Sequence, residues 1–395
     1  MRQFAHVVGR SAVRLWNLSA ETRIRRQLAQ AGNVAVVADP AEVPPGSRLL
    51  LLRADFLYEV RTLAALLERD SVLLRHPDSG APAAAVGNAE QAPALRAAVL
   101  GEAEPPAGIV ELTPRDLGAF DHQLRKAEPP LLEPVSEARR PELEALLYGS
   151  SYKGITDLVT KFVWPRPARY AVRLCARLGI TPNMVTGLGF LLMLWVCYLF
   201  AHGQYGAGLA AGWFMTFLDT VDGKLARVTV RSSRVGHVLD HGMDLVHPPF
   251  WYYLWGVGLT GYQPLLGLEL GTLYTLIIAG YVLGRVAEGL FHTLGHASIF
   301  SWRPFDAYFR LVTARRNPCM ILLTVAALLG RPDWGLVAVA LWTAGTTAVL
   351  FLRLLQGAIT RARSGPLTSW LSDARAPARH GRAYRLFSGT QSAYA

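Results

Sequence analysis

Between Asp219 and Asp244 the chain reads DTVDGKLARVTVRSSRVGHVLDHGMD, which places four carboxylates, Asp219, Asp222, Asp240 and Asp244, between strongly hydrophobic segments. An ionised aspartate costs roughly 2.5–3.5 kcal/mol at the centre of a membrane helix. Four of them on helices that enter a bilayer therefore require a compensating cation. Asp219 and Asp222 stand three residues apart, and Asp240 and Asp244 four apart, so each pair lies on one helical face and can point across a gap at the other. Hard carboxylate oxygens, with no nearby cysteine and no convincing histidine cluster, suit Mg²⁺ or Mn²⁺ better than zinc.

The rest of the chain agrees with a membrane protein that carries a soluble part. Of 395 residues 51% are hydrophobic and only 17% charged, too apolar for an ordinary soluble protein. The excess is uneven: residues 1–150 are punctuated by charge and proline, whereas 184–356 hold almost all the long apolar runs. Three parts are expected: a cytoplasmic α/β domain over 1–150, a membrane domain over 151–360 and a basic C-terminal tail over 361–395.

Runs of about the twenty residues that a bilayer requires predict six membrane helices, near 184–203, 205–226, 237–260, 267–292, 317–331 and 334–356. The sections 153–177, 224–234, 303–316 and 353–385 are rich in Lys and Arg, and the opposite loops contain only Arg331. By the positive-inside rule both termini and the aspartate cluster then face the cytoplasm. The opening Met-Arg-Gln-Phe lacks the apolar core of a secretory signal, which also predicts that the N-terminal part stays inside. The net charge of +11 gathers at helix ends and in the tail, where anionic lipid headgroups are a simpler partner than nucleic acid. Arg169, Arg173 and Arg177, interleaved with apolar residues, predict an interfacial helix before the first span, the alternative being an ordinary basic flank. Cys175, Cys197 and Cys319 are far apart and read as small packing residues rather than a disulfide framework or a zinc site.

The spacing DxxDGxxAR, eight residues, then GxxxDxxxD resembles the signature of the CDP-alcohol phosphotransferases. All eight positions are present: Asp219, Asp222, Gly223, Ala226, Arg227, Gly236, Asp240 and Asp244. The resemblance implies a mainly α, six-helix integral membrane bundle. It implies attack on a CDP-linked alcohol at its β-phosphorus by the hydroxyl of a second, in some members phosphorylated, alcohol, giving a phosphodiester and CMP. It further implies two Mg²⁺ or Mn²⁺ ions on Asp219, Asp222 and Asp240, with Asp244 ligating as well and taking the acceptor's proton. Small-residue helix faces permit a homodimer.

The small residues fit a nucleotide role. Gly223, Ala226 and Gly236 allow close backbone approach, although they also suit plain helix packing, and Arg227 offers a planar donor fork to a diphosphate. Upstream, Ile180-Thr181-Pro182-Asn183-Met184-Val185-Thr186 is similar to the stretch that begins the first membrane helix in the family. Asn183 and Thr186 become candidate cytidine contacts, while Thr181 and Pro182 alone would cap the helix. Arg310, Arg315 and Arg316, in FRLVTARRNP, are candidates for an acceptor or lipid phosphate. Arg285 and Glu288 are spaced for an internal ion pair. His237, His241 and His247 flank the second aspartate pair without belonging to the motif, and Trp251, Tyr252, Tyr253 and Trp255 read as an interfacial belt or helix packing.

In the N-terminal region, 33–37, 48–52 and 72–74 read as strands and 56–69 and 90–100 as helices, an alternation that favours an α/β layer. The run LLLLRADFLYEVRTLAALL followed by SVLLRHPD is similar to the middle strands of a sugar-phosphate nucleotidyltransferase, with Asp55 at a metal-binding position. No glycine-rich loop precedes it, so the cradle for a triphosphate is missing and the domain resembles a reduced, inactive relative with a regulatory or docking role. The membrane half, including SYKGITDLVTKFVWPRPARY, resembles that of the bifunctional enzymes in which a cytidylyltransferase is fused to a di-myo-inositol-phosphate-phosphate synthase. The motif does not choose between CDP-diacylglycerol and CDP-inositol as donor. The competing class is a non-catalytic transporter or scaffold that uses the aspartates as an ion site.

Overall fold

Arg48–Arg53 is a strand of four leucines between two arginines, a pattern that requires apolar cover on both faces. The computed structural model, which describes residues 2–118, 120–231 and 234–389 with side chains outside 234–241, supplies that cover. Leu50 and Leu52 pack on helices α1 (Ala20–Ala31) and α2 (Val60–Leu67). Leu49 and Leu51 pack on α3 (Ala92–Leu100). The strand sits inside a six-stranded mixed sheet, parallel to Gln3–Val8 and antiparallel to Pro82–Asn88. Ala35–Val36 lies beyond the first of these, and Val72–Arg75 and then Val110–Leu112 beyond the second. The expected α/β layer is present, with two differences. Phe56–Tyr58 is not the start of a helix but a strand paired with Leu132–Pro134. Gln3–Val8, α1 and Pro82–Asn88 were not anticipated.

Helix α4 (Arg140–Ser150) leads to α5 (Pro165–Leu178), the helix expected from the three arginines. Its Ala168, Val172 and Ala176 are buried, and Tyr170 and Leu174 are exposed. There follow α6 (Pro182–Ala201), α7 (Tyr205–Val228), α8 (Arg234–Val257), α9 (Leu270–His292), the short α10 (Pro304–Val312), α11 (Arg316–Leu328) and α12 (Pro332–Ser364). Six of these stand close to the six expected positions. Among the described residues only α6, α9 and α12 are individually long and apolar enough to cross a membrane, and α10 with α11, bent by 44°, makes a fourth candidate. Of the others, α7 carries the charged motif, α11 is only 13 residues long, and α8 lies partly outside the described side chains.

The helices share a core built around Phe200, Met215, Trp251, Trp255, Leu273, Met320 and Leu336. Trp251, Tyr252 and Trp255 are buried, so this run is helix packing; Tyr253 alone of the four is exposed. Leu191 and Leu194 on α6, Val282 and Leu283 on α9, and Leu352 and Leu355 on α12 point outward. After α12 the chain folds back, and Trp370, Leu371 and Phe387 join a core with Phe291, Phe300, Ile155 and Ala127. All three cysteines are free.

Candidate active site

Facing carboxylates on α7 and α8 are joined by one guanidinium. Arg316, at the start of α11, donates to Asp219 at 2.5 Å and to Asp244 at 2.7 Å. The two aspartates therefore look into a common space that accepts a cation. Asp222 is buried, and its carboxylate accepts from the Thr186 hydroxyl at 2.7 Å. That hydroxyl also lies 3.1 Å from the Pro182 carbonyl. Thr186, expected against cytidine, thus orients a motif aspartate from α6. Thr181 caps α6 by accepting from the Met184 amide, with Pro182 in the first turn, so the capping reading of that stretch holds.

Gly223 has a definite neighbour. A Cβ at this position would sit 3.2 Å from an Arg227 guanidinium nitrogen, so the missing side chain leaves room for Arg227 to lie along its own helix. Asn183, Thr186, Asp222, Gly223, Ala226 and Arg227 all line one cavity of about 410 Å³. This volume lies within the range of small-molecule sites. The side chains of Gly236, Asp240, His237 and His241 lie outside the described residues. His247 is buried, with Nδ1 2.6 Å from the Met243 carbonyl and its ring against Trp251, which is a packing role.

The arginines of FRLVTARRNP divide their work. Arg316 holds the two aspartates, whereas Arg315 donates to Glu288 at 2.5 Å and 2.7 Å, and Arg285 donates to the same carboxylate at 2.7 Å. The expected Arg285–Glu288 pair is therefore a three-membered network. Arg310 lies over the Phe300 ring, and its Nη1 is buried without a hydrogen-bond partner among the described residues. Arg125, from the loop after Phe120–Asp121, comes within electrostatic reach of Arg310, Arg285 and Glu288.

One anchor was not anticipated, although its segment, SYKGITDLVTKF, was singled out. Asp157 accepts from the Val159 and Thr160 amides, from the Thr160 hydroxyl and from Asn317 Nδ2 at 2.9 Å. It thereby fixes the residue next to Arg316. Burial works against its charge, but nearby Arg310 and these hydrogen bonds outweigh that and hold the carboxyl below its ordinary range. Close by, Lys161 donates to the Gly154 carbonyl at 2.9 Å, and burial draws its ammonium down to about 8. In the N-terminal domain Asp55 is engaged by Arg53 through two bonds, 2.6 Å and 2.9 Å.

Among the described residues no three His, Cys, Asp or Glu side chains form a ready metal cluster. The donor set nevertheless fits a hard divalent cation, because Asp219 and Asp244 present carboxylate oxygens to a space now neutralised by Arg316.

A helical bundle with acids facing across two helices thus lies beside a cavity lined by small residues and arginine. Residues 179–299 match the family described as CDP-alcohol phosphatidyltransferase. The archaetidylinositol phosphate synthase of Pyrococcus horikoshii is 43% identical over 89 residues, 22% of this chain and 45% of that protein. The phosphatidylinositol phosphate synthases of Mycobacterium bovis and Mycobacterium tuberculosis are 33% identical over 119 residues, 29% of this chain and 55% of theirs. The chain spans about half the length of the curated relatives it matches. Residues 179–299 are thus similar to the CDP-alcohol phosphatidyltransferases, and the apolar helices mark an integral membrane protein.

Proposed function

We propose that this protein is a phosphotransferase that moves a phosphatidyl group from a CDP-linked lipid alcohol to a hydroxyl of a phosphorylated polyol, of the inositol phosphate type, and releases CMP. The observation that carries the reading is the pairing of Asp219 and Asp244 across α7 and α8, next to a cavity lined by other members of the same motif. The relatives are by name archaetidylinositol phosphate and phosphatidylinositol phosphate synthases, which favours a lipid donor over CDP-inositol.

Asp219, Asp222, Asp240 and Asp244 would hold Mg²⁺ or Mn²⁺. Bound there, the ions would neutralise the diphosphate and stabilise the leaving CMP. The chain's own residues supply the rest. Thr186 fixes the Asp222 carboxylate, and Arg227 lies over Gly223 where it can meet a diphosphate oxygen. Asp244, the more exposed of the two carboxylates paired with Arg316, is the group to take the acceptor hydroxyl's proton. Arg310, with Arg125 and the Arg285–Glu288–Arg315 network, forms a cationic floor for the acceptor's phosphate. The basic loops favour a cytoplasmic active site and cytoplasmic termini.

Purified protein with Mg²⁺ is expected to release CMP from CDP-diacylglycerol when inositol phosphate is present, and to stop when a chelator is added. Release only from CDP-inositol would transfer the reading to a soluble donor. No release from either donor, with the protein folded, would favour the transporter or scaffold class. Arg310→Ala is expected to raise the KM for the phosphorylated acceptor about tenfold or more with kcat little changed, because one charge-assisted hydrogen bond is lost. Initial rates against acceptor concentration check this, and an unchanged KM would place the phosphate elsewhere.

A further inference from the structure

The cavity that holds the motif residues has a second wall, and that wall belongs to the N-terminal domain. Gln30 of α1, Glu59 and Arg61 at the entry to α2, and Asp121 line the same space as Asn183 and Arg227. These groups are held by the front half's own bonds. Arg61 donates to Glu59 at 2.5 Å and to the Glu128 carbonyl at 2.8 Å, and Asp121 accepts from the Leu124 amide at 2.9 Å.

The two halves are fastened together rather than tethered. Leu15, Trp16 and Leu57 share a hydrophobic core with Ala176, Val185, Val221 and Leu225. Arg26 donates to the Thr229 carbonyl at 3.0 Å, at the cytoplasmic end proposed for α7, and Asn17 donates to the Ala176 carbonyl at 3.3 Å. A wall with such support can be a fixed part of a binding site.

The direction of the cavity says which part of the donor meets this wall. From Asp222 it runs along α7 through Gly223, Ala226 and Arg227, then past the helix end at Val228 to Val230 and Arg231, away from Asp219. The helical part of this run, 222–228, covers about 10 Å. A diphosphate placed at the Asp219 and Asp222 end therefore leaves its nucleoside lying along 223–231, beneath α1 and the start of α2. Carboxylates such as Glu59 and Asp121 are suited to accept from ribose hydroxyls.

We propose that the N-terminal α/β domain is the second wall of the donor's nucleotide pocket and binds the nucleoside end of the CDP group. The inference rests on the functional reading above and assigns the domain a substrate-binding role in place of a regulatory or docking one.

Hydrogen exchange on the full-length protein, with and without CMP, tests it. Slowed exchange is expected at 27–31 and 58–62 as well as on the membrane side, and protection confined to 182–231 would overturn the proposal while leaving the reaction intact. In parallel, Gln30→Trp, which puts bulk on an exposed lining position, is expected to weaken CMP binding about tenfold or more without altering the ligand-free thermal midpoint. An unchanged CMP affinity in folded Q30W counts against the wall. A wild-type protein that neither binds CMP nor releases it overturns the functional reading, and this inference with it.

Discussion

Asp219→Asn and Asp244→Asn are each expected to leave a folded, membrane-inserted protein whose kcat falls on the order of a hundredfold to a thousandfold. Both substitutions keep the side-chain shape and remove a charge that faces the shared cation space. In the ligand-free protein either change leaves Arg316 paired with one carboxylate, which still balances its charge. Stability should therefore change little, because Asp219 and Asp244 are both partly solvent-accessible, with side chains 24% and 45% exposed. The check is CMP release across a Mg²⁺ titration, beside size exclusion and thermal unfolding in the same detergent. Loss of turnover with a normal unfolding midpoint supports a role for these carboxylates in the reaction. Wild-type kcat in either variant would sink the assignment.

How far these features were legible in the sequence depends on whether they are local. Asp219, Asp222, Gly223 and Arg227 fall within one short segment, and helical spacing alone sets them on neighbouring turns of α7. The helix positions followed from apolar runs, to within a few residues at most ends. What escaped depended on tertiary partners. Pro82–Asn88 contains three successive alanines, strong helix formers, yet it forms a strand buried from Pro82 to Gly87 because Leu50 and Leu73 flank it in the sheet. Helix α1 is rich in arginine and glutamine and offers little apolar signal, and its Ile24 and Leu28 are recognisable as core only once the sheet beneath them exists. Arg316 was expected to hold a phosphate but meets Asp219 and Asp244, 97 and 72 residues away, a pairing that no local pattern encodes. The shared wall of the cavity is hidden for the same reason, since Gln30 and Arg227 come to line one space only through folding.

The junction behind the site leads to the second large effect, that of Gly154→Ala. Gly154 donates to the Leu124 carbonyl at 2.9 Å and accepts from Lys161 Nζ at 2.9 Å. A Cβ on it would collide with the Phe387 carbonyl oxygen and lie 2.6 Å from that of Arg125. Both obstacles are backbone atoms, which cannot swing aside as a flexible side chain can. Arg125 already has φ 49°, in the left-handed region, so its peptide has little freedom to yield. The added methyl must therefore separate three segments: the loop carrying Arg125, the stretch before α5 and the C-terminal helix ending at Phe387. Overpacking of this kind costs about 3 kcal/mol or more. For a chain of this length a fall in the thermal midpoint of about 3–4 °C or more follows. Gly187→Ala, on α6 with nothing within 4 Å of its Cβ position, is the matched control and should unfold as the wild type does. Because the same loop sets Arg125 beside Arg310, Gly154→Ala should also weaken the phosphorylated acceptor at temperatures where the protein is still folded. Equal midpoints for the two variants would mean that the C-terminal segment does not close on Gly154 and that Arg125 is positioned by other contacts.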